Sequence, residues 1–213
     1  MKILTIANRK GGAGKSTCAA HIALEAVKAG KNVILIDLDP QKTLESWWSK
    51  RTLDNPSLAD ATYKDLSSKI EMLRLKGFDL CIIDTPGDTS NNAMAGIAEA
   101  NLVLVPSKAT APDLTAIGRT IATLEENKKS YTFLLTQTIP GSRNSLQAVS
   151  VLSEFGPVAP TSLSNRVAYS NAMGAGHSAA EENKSASEEL SKIWKYLDEK
   201  IFVRPTTTKK KVS

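Results

Sequence analysis

Short aliphatic runs alternate along the chain with longer segments in which apolar residues recur every three or four positions. The runs 2–8, 32–37, 79–84, 101–106, 131–137 and 157–161 read as strands. Cores such as Val33-Ile34-Leu35-Ile36 and Leu102-Val103-Leu104-Val105 are continuous rather than alternating, the pattern of strands buried on both faces of a parallel sheet. Segments 16–29, 64–76, 113–127, 142–155 and 185–202 read as helices. Gly30 and Gly77 stop the first two, Pro112 precedes the third, and Pro140-Gly141 precedes the fourth. In the last, Leu190, Ile193, Trp194, Leu197 and Ile201 form one stripe, which suits packing on a sheet better than anchoring in a membrane. The alternation predicts an α/β fold: a mostly parallel β-sheet flanked by helices on both faces, as one domain over 1–203 with a basic tail at 204–213. In such folds ligands sit at the carboxyl ends of the strands.

Composition changes this picture little, since 41% hydrophobic and 23% charged residues are ordinary for a globular chain. No apolar run is long enough to cross a bilayer. Residues 1–8 are interrupted by Lys2 and Thr5 and carry no small-residue cleavage site, so no secretory signal is expected. Cys18 and Cys81 can build neither a disulfide framework nor a four-ligand metal site, and both read as small buried hydrophobes of a cytoplasmic protein. His21 and His177 lack partners at metal-ligand spacing and read as structural. Charge placement says more. From Lys192 to the end there are seven basic residues against two acidic ones, a surplus equal to the net +5 of the whole chain. A basic end points to a polyanionic partner or to a solvated tail.

The densest chemical signal follows the first strand, where the chain reads Asn8-Arg9-Lys10-Gly11-Gly12-Ala13-Gly14-Lys15-Ser16-Thr17. Glycines let converging backbone N–H groups approach a phosphate, and a helix opening at Ser16 adds its positive end. Lys15 can reach the β- and γ-phosphates and the Ser16 hydroxyl can ligate Mg²⁺. The usual loop has glycine where this chain has Arg9, and here a second lysine, Lys10, opens the turn.

Lys10–Thr17 resembles the deviant Walker A motif of the ParA/MinD family of dimeric ATPases. Ile34-Leu35-Ile36-Asp37-Leu38-Asp39-Pro40-Gln41 is similar to that family's second motif, and Leu80-Cys81-Ile82-Ile83-Asp84-Thr85-Pro86-Gly87 to its Walker B strand. Weaker similarity runs through Leu102–Pro106 and Arg166–Tyr169. The resemblance is closest to short ParA proteins without an N-terminal helix-turn-helix, for which a strand starting at residue 2 is expected to leave no room.

The resemblance implies ATP and Mg²⁺ as cofactors, bound by Lys10, Gly11, Gly12, Ala13, Gly14, Lys15, Ser16 and Thr17. It makes Asp39 the catalytic aspartate that orients water, and Asp84 a Mg²⁺ residue. Asp37, two residues before Asp39 and on the same side of the pleat, would support the metal or Ser16. Lys10 would cross to the partner's nucleotide in an ATP-dependent homodimer, as an arginine finger does. Gln137 falls near the family's base-reading position. The implied activity is a partition ATPase whose dimer binds DNA nonspecifically through Arg166, Lys192, Lys195, Lys200 and Arg204. A small DNA-binding or adaptor protein would stimulate hydrolysis and release it from the nucleoid. Two alternatives share the loop: a dethiobiotin-synthetase-like or cobyrinate-amidating enzyme, for which no small-substrate constellation is evident, and a MinD-like membrane switch, for which residues 204–213 lack large apolar residues, so no stable membrane association is expected. Trp47-Trp48 reads either as packing over the nucleotide loop or as an exposed docking patch.

Overall fold

A computed structural model describes residues 1–202; Arg204 and the tail at 204–213 lie outside the described residues. Strands β1 (Lys2–Ile6), β2 (Val33–Asp37), β3 (Ser57–Ala59), β4 (Leu80–Asp84), β5 (Leu102–Lys108), β6 (Tyr131–Thr138) and β7 (Leu163–Ser164) build one sheet. Their order is β3-β2-β4-β1-β5-β6-β7, and every adjacent pair is parallel.

Five strands lie where the apolar runs place them. β3 is a three-residue edge strand, partly exposed and too short to carry a period. The run at 157–161 is not a strand: only Val158 bridges to Phe133, and pairing resumes at β7. Pro157 and Pro160 have no N–H to give a ladder. The segment docks instead through the Pro157 carbonyl, which accepts from Phe133 N (2.8 Å), and through Ala159 N, which donates to the Phe133 carbonyl (2.8 Å).

Helices cover both faces. One core cluster joins α1 (Lys15–Lys28), α2 (Thr43–Trp48), α7 (Val167–Ala175), α8 (Ala179–Glu182) and α9 (Lys184–Phe202) to Leu4, Ile6, Leu35, Ile82 and Leu104 of the strands. On the other face α3 (Leu66–Leu75) packs on Ile3, Ile34, Ile36 and Ile83. Beside it, α4 (Asn91–Glu99), α5 (Ala111–Glu126) and α6 (Arg143–Ser153) cover Val103, Val105, Phe133 and Leu135. Strand residues alternate between the two clusters, which explains why the runs are apolar throughout.

α4 has no counterpart in the apolar pattern because it buries only Ala93, Gly96 and Ile97. A Cβ on Gly96 would lie 2.9 Å from Thr85 Cγ2, so glycine sets how closely this helix approaches the end of β4. The tryptophan pair packs inside the fold, with its indole N–H groups on His177 and Pro56, and not on the nucleotide loop. Trp47 is buried with Nε1 donating to the His177 carbonyl (3.2 Å), and Trp48 Nε1 donates to the Pro56 carbonyl (2.7 Å). Cys18 and Cys81 are fully buried, and burial pushes both thiols up, Cys81 to about 12.

No helix among the described residues is long and apolar enough to cross a membrane. In α9 the apolar stripe is the packing face: Leu190, Ile193, Leu197 and Ile201 are buried while Lys192 and Lys195 are exposed. Leu197→Ala should therefore lower stability by about 2–5 kcal/mol in urea unfolding, and Lys195→Ala by less than about 0.5 kcal/mol. Equal effects of the two would show that the stripe does not pack.

Candidate functional site

Strand register assembles the site. β4 pairs Asp84 with Ile6 of β1 on one side and with Asp37 of β2 on the other, so three strands end at one level. The chain leaving β1 there forms the glycine loop. Gly12 (φ 71°) and Gly14 (φ 88°) adopt left-handed conformations that side chains disfavour. Gly14 caps α1 without any side-chain acceptor, leaving first-turn N–H groups to receive an anion. β6 braces the loop from the side: Thr136 Oγ1 donates to the Ala13 carbonyl (2.9 Å) and Gln137 Nε2 to the Gly12 carbonyl (3.0 Å). Asn8 Oδ1 accepts from Lys10 N (3.0 Å) and Asn8 Nδ2 donates to the Pro106 carbonyl (2.6 Å), fixing the loop's start.

Two cavities meet on this loop and share Gly14, Thr17 and Thr43. One of about 530 Å³ is lined by Gly11, Gly12, Lys15, Ser16, Asp39, Pro86, Gly87 and Asp88. The other, of about 470 Å³, is lined by Thr136, Gln137, Ser164, Asn165, Arg166 and Tyr169. Lys15 is nearly buried, so an anion on the loop would meet its amine in a poorly solvated setting.

The carboxylates differ sharply. Both oxygens of Asp84 are buried without a hydrogen-bond partner. Burial pushes its pKa up to about 7; the neighbouring Asp37 adds to this, while Ser16 and Lys15 oppose it. A partnerless buried carboxylate beside a serine hydroxyl fits a hard divalent cation. Among the described residues no group of three or more His, Cys, Asp or Glu could hold a metal, so the fit is to an ion that keeps waters and phosphate oxygens, as Mg²⁺ does.

Asp37, expected near the metal, is employed otherwise. Its Oδ1 accepts from Asp39 N (3.0 Å) and its Oδ2 from Glu45 N (3.0 Å), so both oxygens hold the turn between β2 and α2. Asp39 is partly exposed on the first cavity, its Oδ1 accepting from Gln41 N (2.9 Å).

Lys10 projects from the loop's outer rim and pairs with Asp113 of its own chain (2.9 Å). Thr110 Oγ1 donates to the same carboxylate. Burial raises the Asp113 pKa, but the Thr110 and Lys10 hydrogen bonds outweigh it and hold the group below the usual carboxylate range.

The described residues expected at a DNA surface have different surroundings. Arg166 is paired with Glu189 (2.7 Å) and lines the second cavity. Lys192 and Lys195 are exposed on the outer face of α9, interleaved at i,i+4 spacing with Glu188 and Glu199. Lys200 lies over the Tyr196 ring (5.1 Å), in a depression with Tyr131 and Pro157 at the amino ends of the strands, the far edge from the glycine loop.

Several site residues escaped the sequence reading: Asp113, Thr136, Glu189, and Lys108, whose Nζ lies 3.9 Å from where a Gly12 Cβ would stand. Only Gly87 left a local trace, inside Asp84-Thr85-Pro86-Gly87. A Cβ there would stand 3.1 Å from Gly11 N and 3.2 Å from Lys15 Nζ, so any side chain would press the glycine loop back by a few tenths of an ångström.

Comparison with known proteins finds relatives along nearly the whole described chain. A family model described as VirC1 protein matches residues 1–194. The chain is 31% identical to protein VirC1 of Rhizobium radiobacter over 190 residues, covering 80% of this chain and 79% of that protein. It is 28% identical to the maintenance of carboxysome distribution protein A of Halothiobacillus neapolitanus over 204 residues, covering 89% and 93%. Among solved structures, the septum site-determining protein MinD of Pyrococcus horikoshii, complexed with Mg-ADP, superposes with a TM-score of 0.77 at 16% identity, covering 95% of this chain and 99% of that one.

Asp84 makes stability depend on pH. Its carboxyl holds a proton up to about pH 7 when folded, against 3.8 as its ordinary value. The folded chain thus binds a proton that the unfolded chain releases, and its contribution turns against stability as pH rises from about 4 to about 7. Without nucleotide at pH 8, Asp84→Asn should be more stable than the wild type by on the order of 4 kcal/mol in urea unfolding, the gap closing towards pH 4. Identical midpoints at pH 8 would mean that the carboxylate is already compensated.

Proposed function

The chain belongs to the VirC1 family, within the ParA/MinD family of short partition ATPases, and on that premise we propose that it is an ATP-hydrolysing positioning protein. The observation that carries the reading is the meeting, at one strand edge, of an anion-receiving loop with Lys10, Lys15, Ser16, Asp39 and the uncompensated Asp84. ATP would place its phosphates in the cavity beside Lys15 and its nucleoside in the cavity beside Thr17 and Gln137. Lys15 neutralises the β- and γ-phosphates, and Asp39 orients the attacking water. Ser16 and Asp84 are the residues that would hold Mg²⁺, which supplies charge neutralisation at the phosphates.

Lys10 is the switch element. Its bond joins a partly exposed amine to the nearly buried Asp113 carboxylate, so leaving it has a cost that contact with another subunit's phosphates would have to offset. In the proposed cycle Lys10 leaves Asp113 for the phosphates of a second subunit, so that two nucleotides lie between facing copies. The dimer then binds DNA without sequence preference, and an adaptor or DNA-binding partner stimulates hydrolysis and releases it. Lys192, Lys195 and Lys200 are the exposed cations of the described part of this surface, with Arg204 beyond it. Arg166 contributes less, because Glu189 offsets its charge. DNA affinity should fall with salt at a slope near 0.9 per phosphate neutralised.

Light scattering with ATP, ADP or no nucleotide, paired with retention on random duplex DNA, tests the cycle. Dimer and DNA retention are expected with ATP alone. Retention indifferent to nucleotide would remove the switch. Lys10→Ala should abolish the ATP dimer and lower stimulated turnover by roughly 10³-fold or more. An unaltered dimer would refute its role. Asp113→Asn frees Lys10 from its own chain and should shift dimerisation to lower ATP concentration; an unchanged or higher ATP requirement would show that the pair does not compete with the partner.

A further inference from the structure

One carboxylate of α9 gathers an unusual number of donors beneath the second cavity. Glu189 accepts from Ser164 N (3.2 Å) and Ser164 Oγ (2.7 Å), from Arg166 Nε (3.2 Å) and Nη2 (2.7 Å), and from Tyr169 OH (3.0 Å). Ser164 ends β7, Arg166 caps α7 and Tyr169 lies in its first turn. All three line the cavity of about 470 Å³, whose opposite side is formed by Gly14 and Thr17.

The same cluster reaches the back of the phosphate-loop helix. The buried Tyr169 ring stands edge-on to His21 with centroids 5.1 Å apart, and His21 Nδ1 lies 2.8 Å from the Thr17 carbonyl. Burial lowers the imidazole to about 4, so at neutral pH it is uncharged and donates Nδ1–H to that carbonyl. A path of contacts therefore runs from α9 through Glu189, Tyr169 and His21 to the first turn of α1.

We propose that Glu189 is the positioning residue of the nucleoside cavity: by drawing Ser164, Arg166 and Tyr169 onto one carboxylate it presets the wall opposite the phosphate loop and links occupancy of that cavity to α9. This rests on the reading that ATP occupies the two cavities. The physical ground is preorganisation. Three residues from two elements would otherwise have to be ordered when the ligand binds, and that ordering would be subtracted from its affinity. Apart from the shared Gly14, Thr17 and Thr43, the cavity proposed for the phosphates is lined by Gly11, Gly12, Lys15, Ser16, Asp39 and Gly87 among others, and Glu189 and its donors contribute nothing to it. A general loss of rigidity would weaken every ligand of the loop. Loss of this wall should weaken only those carrying a nucleoside.

Calorimetry on the full chain with Mg²⁺, using ATP and inorganic tripolyphosphate as probes, separates the two. Glu189→Gln should raise the Kd for ATP by about tenfold or more while tripolyphosphate stays within about twofold. Tyr169→Phe, which removes one of the five bonds and keeps the ring on His21, should show the same split at about threefold, and it covers the case in which Glu189→Gln does not fold. Unchanged ATP affinity in a folded variant, or equal weakening of both probes, would overturn the proposal. Wild-type protein that binds ATP no more tightly than tripolyphosphate would instead overturn the nucleotide reading beneath it.

Discussion

Three parallel strands ending at one level impose the constraint on which the rest of the molecule depends. Neighbouring strands lie about 4.8 Å apart, so the pairing of Asp84 with Asp37 brings two acidic groups together in a buried setting. The fold relieves one of them with backbone amides and leaves the other without a partner. The unrelieved group is the one beside Ser16 and Lys15, under the loop built to receive an anion. Burial of this kind costs stability, and it is tolerated where cation and phosphate complete the charge balance.

Around that point the site divides into fixed and exchangeable parts. The loop is braced by backbone and short side-chain hydrogen bonds from Asn8, Thr136 and Gln137, contacts whose partners cannot move without moving a strand. Lys10 is held differently. Its partly exposed amine reaches the nearly buried Asp113 on α5 by a flexible four-carbon stem, which can redirect it once another anion is offered. The device that would sense a second subunit is thus the element of the loop least tied to the sheet. On the other side, Glu189 binds α9 to the wall of the second cavity, so the helix carrying exposed lysines shares a carboxylate network with that cavity.

The glycine loop, the aliphatic strands and the strand-end aspartates were legible in the sequence because each is a local property. Ten consecutive residues define the loop, and four-residue apolar runs closed by an aspartate define β2 and β4. Where local signal was thin, reading failed in proportion: α4 buries small residues that make no stripe, β3 is too short for a period, and two prolines broke the strand expected at 157–161.

The chain alone therefore determined what kind of site this is, since backbone conformation and side-chain period follow from neighbouring residues. Tertiary structure decided whom each long or charged side chain meets. Lys10 finds Asp113 and Arg166 finds Glu189, neither of which spacing announces. It also decided that Arg166 is neutralised by Glu189 while the lysines of α9 stay on the exposed side of the helix. The physical reason is common to all of these. Hydrogen bonds and ion pairs form between groups that strand register and helix packing bring within about 3 Å, and distance along the chain does not encode that proximity.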